Sequence, residues 1–278
     1  MEWIFSYRKC RIIFAVLLCG VISACAGSDD AGSEDGTVSG KNVVAAMMRA
    51  GEAARKRGDL SAAVVFFRRA HKAEPKSVDP LIGLGEALTA AGIAKEGAQA
   101  FREALAIDAK NSRALRGLGN ALIAQDQLDL AVEQFDKALA VNPKDFRAYN
   151  GLGVAYDTMA DHTKAQEFYY AGLETAPGDV NLRNNLGLSL AFSGHFNGAI
   201  EILRPLALRP GATARDRQNL ALAYGLAGDT ANAKKFARLD MDQRSVERNL
   251  NYYAALRSMN DPVLRVKSIR SGYVVQSR

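Results

Sequence analysis

From Val44 onward the chain repeats itself every 34 residues, six times over, without an insertion or deletion. The frames open at Val44, Val78, Ser112, Phe146, Val180 and Ala214. The eighth residue of each is small: Gly51, Gly85, Gly119, Gly153, Gly187 and Ala221. So is the twentieth: Ala63, Gly97, Ala131, Ala165, Ala199 and Ala233. A period of this length means one supersecondary unit per frame, too small to bury its apolar face alone. The units must therefore stack into an elongated array.

The two small positions identify the unit as a pair of helices. Antiparallel helices cross closely only where neither projects a large side chain. Larger apolar residues then surround the crossing, with Leu84, Leu118, Leu152, Leu186 and Leu220 at position seven of their frames. Position twenty-four holds Phe67, Phe101, Phe135, Tyr169, Leu203 and Ala237. Positions four, seven, eight and eleven share one helical face, as a buried stripe requires. Gly58, Gly92, Gly194 and Gly228 stand at position fifteen, where a left-handed residue ends the first helix. Pro75, Pro143 and Pro177 stand at position thirty-two and stop the second.

This pattern resembles the tetratricopeptide repeat (TPR). It predicts an all-α superhelical solenoid of about six helix-turn-helix units spanning residues 44–247, divided as 44–77, 78–111, 112–145, 146–179, 180–213 and 214–247. The sixth unit is degenerate, with Asp240 where earlier units have Ala70, Ala104 and Ala138. A further amphipathic helix is expected over residues 244–260, with Val246, Leu250, Tyr253 and Leu256 on one face. It would close the open end of the last unit, because a solenoid needs a capping face.

Residues outside the repeats bear on location. Arg8, Lys9 and Arg11 precede a thirteen-residue apolar run from Ile12 to Ala24. That run is shorter than the roughly 20 residues a membrane-spanning helix needs. It reads as an export signal over residues 1–24. The run ends in Ile22-Ser23-Ala24-Cys25, which resembles the lipobox of bacterial lipoproteins. That resemblance implies cleavage before Cys25 and lipid on its sulfur and new amino terminus. Ala26, in place of Asp, favours the outer membrane by resemblance to sorted lipoproteins. The three cysteines are Cys10, Cys19 and Cys25, so the mature domain offers no intramolecular disulfide and no thiolate metal ligand.

Residues 25–43 are rich in Gly, Ser and Asp and read as a flexible acidic tether. Residues 261–278 form a basic tail lacking helical periodicity, also expected to be flexible. The formal charge is +6, and removing Glu2, Arg8, Lys9 and Arg11 with the leader leaves +4. Arg265, Lys267, Arg270 and Arg278 in the tail supply all of it. With residues 263–278 set aside, the tether and repeats are together neutral and leave no electrostatic footprint for nucleic acid, which is excluded as a partner.

Stacked units of this kind curve, with first helices lining the concave side. Positions two, five and nine then face the groove. They are Arg113, Arg116 and Asn120 in the third unit, and Arg147, Asn150 and Val154 in the fourth. The fifth contributes Asn181, Asn184 and Leu188, and the sixth Arg215 and Gln218. Amide side chains bond both donors and acceptors of an extended backbone, and Arg takes a carboxylate bidentately. These residues are expected to hold an extended segment of a protein partner, with acidic character favoured.

Nothing in the sequence points to catalysis. His71, His162 and His195 occur without a metal-ligand spacing, and His162 and His195 are read as surface turn residues. No phosphate loop, nucleophile elbow or paired catalytic carboxylate motif is present. The expectation is a non-enzyme without cofactor, metal or small-molecule substrate.

The lipobox, acidic tether, repeats and the segment DMDQRSVERNLNYYAALR together resemble the TadD-like TPR lipoproteins of the Tad (Flp) pilus secretion system. The resemblance covers the whole chain, and that last segment is its distinguishing part. It implies a scaffold or pilotin at the periplasmic face of the outer membrane, touching the membrane only through its lipid anchor. Its partners would be the Tad secretin and other pilus-assembly subunits. Another periplasmic TPR lipoprotein is the alternative: a murein-hydrolase adaptor, a type IV pilus pilotin or an outer-membrane assembly factor.

Overall fold

The computed structural model describes residues 35–259 and Ser268. The leader, Cys25 and most of the tail lie outside the described residues. Among the described residues the chain forms thirteen α-helices. They pair as α1 (Asp35–Lys56) with α2 (Leu60–Ala73), α3 (Val78–Ala90) with α4 (Ala94–Ile107), and α5 (Ser112–Ile123) with α6 (Leu128–Val141). Next come α7 (Phe146–Thr158) with α8 (His162–Thr175), α9 (Val180–Phe192) with α10 (Phe196–Leu208), and α11 (Ala214–Ala227) with α12 (Thr230–Ala237). The last is α13 (Gln243–Ser258), packed on α11 and α12. Each helix packs on the next, and each first helix also packs on the first helix of the following unit. The result is a succession of stacked layers rather than a single closed core.

Helix α1 opens at Asp35, ahead of the Val44 frame, so part of the expected tether is helical. Extending an existing helix adds one hydrogen bond per residue fixed, without a new nucleus, and no proline intervenes. Asp59, Asn111, Asp145, Asp161, Asp179, Asp229 and Asp242 each cap a helix N-terminus with a side-chain oxygen. All four position-fifteen glycines have positive φ, from 79° at Gly58 to 87° at Gly228. Asp126 and Ala160 occupy the same position with φ of 61° and 64°, bearing a Cβ where glycine is the relaxed choice.

The joints between units are ring-on-glycine contacts. Phe67, Phe101 and Phe135 are at most 1% exposed. Each lies between two glycines, one in its own unit and one in the next. A Cβ on Gly51 or Gly83 would fall 2.8 or 2.6 Å from Phe67. On Gly85 or Gly117 it would fall 2.8 or 2.2 Å from Phe101, and on Gly119 or Gly151 2.7 or 2.3 Å from Phe135. So position six of the second, third and fourth frames must be glycine, to let the preceding ring in. In the fifth and sixth frames position six becomes Asn185 and Asn219. The preceding plug changes with it, to Tyr169 and then to the smaller Leu203.

The sixth unit departs in a defined way. Its second helix stops after eight residues, and Asp240 takes a bidentate ion pair from Arg217. The chain then turns into α13, which lays Val246, Tyr253 and Leu256 on the array and buries Asn249 beside them. A Cβ on Gly225 would fall 2.3 Å from Tyr253, so this ring performs the plug's role at the closing end. Arg257 donates to the Gly225 carbonyl, and the Tyr252 hydroxyl donates to the carbonyl of Ser268.

Candidate peptide-binding groove

The first helices α5, α7, α9 and α11 enclose a cavity of about 590 Å³. Position two of successive units gives one row of its wall: Arg147, Asn181 and Arg215. The middle row holds Arg116, Asn150, Asn185 and Asn219, and position nine supplies Asn120 and Leu188. Phe146 and Asp179 complete the lining. Three guanidiniums against one carboxylate make the cavity cationic.

Those guanidiniums are not equivalent. Arg116 is held 2.7 Å from the Asp145 carboxylate, which also accepts from Ser112 and caps α7 through the Arg147 backbone N–H. Arg116 is thus a strut between α5 and α7, half-spent before any ligand arrives. Arg147 and Arg215 have no carboxylate partner among the described residues. Arg147 lies over the Phe146 ring at 4.7 Å, a contact that orients the guanidinium without neutralising it.

The amides divide in the same manner. Asn185 Nδ2 donates to Asn150 Oδ1 at 2.8 Å. The pair still offers the Asn150 amide hydrogens and the Asn185 carbonyl oxygen, one donor beside one acceptor. That combination matches the C=O and N–H of a peptide backbone. The side chains of Asn120 and Asn181 are exposed and carry no hydrogen bond among the described residues.

Four of the groove positions expected from the sequence lie elsewhere. Asn184 is 1% exposed, donating to Asp216 at 2.7 Å and accepting from Asn219 at 2.9 Å. It joins α9 to α11 instead of facing a ligand. Gln218 turns its amide inward, and Val154 packs against the cluster of Tyr169, Leu182 and Leu186. Arg113 pairs bidentately with Glu86 at 2.8 Å for both bonds and stands 3.9 Å from Glu52. Asn184 is drawn to Asp216 and Asn219 of the next unit, while at position six of the same helix Asn185 stands half-buried at the cavity wall. Asn185 was missed because position six was not read as facing the groove; Asn219 lies at the cavity floor, fully buried and bonded to Asn184. The signal was present as the replacement of Gly83, Gly117 and Gly151 by asparagine in two consecutive frames.

Electrostatics reinforces this division. The Glu86 hydrogen bond raises the pKa of Arg113 against an opposing desolvation. Burial raises that of Asp216, but hydrogen bonds from Thr213, Asn184 and Arg209 outweigh it and hold the carboxyl below its usual range. A second cavity, of about 840 Å³, lies at the amino-terminal end among Met48, Arg49, Glu52, Asp79 and Arg113. Its charges are of both signs, with Arg113 standing between Glu52 and Glu86.

A second polar cluster, besides Asn184, Asn219 and Asp216, lies inside the array. Asp157 accepts from His162 Nδ1 at 2.8 Å, from Tyr169 at 2.9 Å and from Ser189 at 2.7 Å. His162 is therefore buried, not a surface turn residue, because this acceptor draws it in at the start of α8. Burial, followed by the charge and hydrogen bond of Asp157, raises the Tyr169 pKa well above its ordinary value. Ser, His and Asp meet here, yet Ser189 donates to the carboxylate rather than to the imidazole, which is not a nucleophile–base arrangement. His195 contacts Ser193. No group of three or more potential metal ligands occurs among the described residues, and no described helix is long and apolar enough to cross a membrane.

Comparison with known proteins agrees with this architecture. Tetratricopeptide-repeat models match residues 48–112 and 146–179, and a TPR-repeat model matches residues 119–159. The matched segments fall within the repeats, and the stacked helix pairs have the fold of a TPR solenoid. Among solved structures, pilF of Pseudomonas aeruginosa is similar over 77% of this chain and 99% of its own, at 20% identity and a TM-score of 0.60. A thermophilic TPR protein of Thermus thermophilus covers 65% of this chain and 98% of its own, at 18% identity and a TM-score of 0.61. The Cut9–Hcn1 hetero-tetramer of the APC/C is similar over 76% of this chain and 42% of that one, at 17% identity and a TM-score of 0.66. At these identities the likeness is one of fold. No curated protein sequence matches the chain.

Proposed function

We propose that this protein is a non-enzymatic, lipid-anchored TPR adaptor of the outer membrane that serves Tad (Flp) pilus assembly by holding an extended, acidic segment of a partner subunit such as the secretin. The observation that carries the binding role is the pair of unneutralised guanidiniums, Arg147 and Arg215, flanking the Asn150–Asn185 amide pair in one cavity. The amides suit the backbone of an extended chain, and the arginines suit carboxylates. Placement at the periplasmic face rests on the leader and the Ile22-Ser23-Ala24-Cys25 segment. The Tad assignment rests on the resemblance of DMDQRSVERNLNYYAALR.

Crosslinked pull-down from native membranes, with the lipidated protein as bait and mass spectrometry as readout, tests both parts. Enrichment of a secretin and other pilus-assembly subunits, lost on Arg147→Ala with Arg215→Ala, is the expected result. Enrichment of murein hydrolases or barrel-assembly components without a secretin would replace the Tad assignment. Retention of every prey by the double variant would remove the groove from the account.

A further inference from the structure

We infer that the groove reads two carboxylates spaced six residues apart on an extended segment, with an apolar residue midway between them. The inference rests on the groove reading above and adds the spacing.

Arg147 and Arg215 occupy the same frame position two units apart, on α7 and α11, with Asn181 of α9 between them. Helix α9 packs directly on both neighbours, and the inter-unit hydrogen bonds Asn185 to Asn150 and Asn219 to Asn184 fix the three in register. Packed helices stand about 8–10 Å apart, so two steps separate the arginine positions by roughly 16–20 Å. An extended chain rises about 3.3 Å per residue, which converts that span to about five or six residues.

Side-chain alternation chooses between the two values. A segment lying along the middle row meets arginines on one side, and Asn120 and Leu188 on the other. Successive side chains of an extended chain point to opposite sides, so two that reach the same row differ by an even number. The carboxylates therefore fall at i and i+6. The residue at i+3 points the opposite way, toward Leu188, and is best apolar. Nothing further is gained from acids beyond Arg116, whose charge Asp145 already engages. Arg113, at the same frame position in the third unit, is committed to Glu86 and adds no third site to the row.

The test uses the full chain in detergent and fluorescein-labelled twelve-residue peptides of Gly and Ser bearing two Glu and one central Leu. Fluorescence anisotropy compares Glu spacings of three, five and six, each at low and moderate salt. The spacing-six peptide is expected to bind at least about tenfold tighter than the spacing-three and spacing-five peptides. Arg147→Ala or Arg215→Ala should each erase that preference, with unchanged helicity by circular dichroism. Equal affinities across the three spacings, with binding still lost in the double variant, would overturn the spacing rule and leave the groove reading in place. Failure of every acidic peptide to bind, or binding indifferent to both variants, would overturn the groove reading and the spacing rule together.

Discussion

The two halves of the concave face are built from the same repeat yet hold their units together differently. In the first three units the charges are spent inward: Arg55 on Glu52, Arg113 on Glu86, Arg116 on Asp145. In the last three, asparagines do much of the joining, Asn150 with Asn185 and Asn184 with Asn219 and the Asp216 carboxylate. Arg147 and Arg215 therefore stay free of ion pairs in the units that amides help to join. The change coincides with a change in the core, from a phenyl ring between two glycines to Tyr169 or Leu203 beside an asparagine. The three phenyl plugs each sit on a glycine at position six of the next frame, whereas the frame after the Tyr169 ring carries Asn185 there. Position six thus serves ring packing in the second to fourth units and supplies an asparagine in the fifth and sixth.

The most damaging way to break this comparison is to remove a plug. Phe135→Ala empties the space between Gly119 and Gly151 and should cost about 3–5 kcal/mol, read by urea denaturation. Placing the carboxyl-terminal solution in the amino-terminal half comes next. Gly117→Asn forces a Cβ against Phe101 and should cost about 1–3 kcal/mol or more, whereas Asn185→Gly loses one hydrogen bond and costs about 0.5–1.5 kcal/mol. Equal costs for the two exchanges would show that position six is not what separates the halves.

The distinction between strut and free arginine gives a smaller, sharper effect. Arg116→Ala strands the buried Asp145 carboxylate and should lower stability by about 1–3 kcal/mol. Arg147→Ala combined with Arg215→Ala should leave the urea midpoint unchanged and abolish binding of the acidic peptide. Acid titration probes the joint between α9 and α11. The Asp216 pKa is depressed in the folded state, so its contribution is present above the unfolded value of about 3.9 and is lost as pH falls through the folded one. Protection factors of α9 and α11, corrected for the intrinsic exchange rate, should therefore fall below about pH 4, and Asp216→Asn should remove that component. The smallest effect runs the other way. Ala160→Gly relieves a left-handed alanine and should stabilise by about 0.5–1 kcal/mol in thermal unfolding.

The helix pairs, their crossing points and their stop signals were legible in the sequence because each depends on local geometry repeated six times. Small residues at positions eight and twenty permit close crossing, and a position-fifteen glycine permits positive φ, whatever the rest of the molecule does. The lining of the groove was legible only in part. Arg147, Asn181, Arg215, Asn120 and Leu188 could be assigned by helical spacing, since they project clear of the neighbouring unit. Asn184, Gln218 and Val154 could not, because their direction depends on how each unit is turned against the next.

By itself the sequence determined the repeat, the helical hairpins, the closing helix and the residue types available to the concave face. Tertiary structure alone decided which charges are spent and which are free. Arg113 and Arg147 hold the same place in adjacent frames, yet one finds Glu86 across the groove and the other finds no carboxylate among the described residues. That outcome depends on contacts between residues a whole unit apart, which a one-dimensional period specifies in spacing but not in direction.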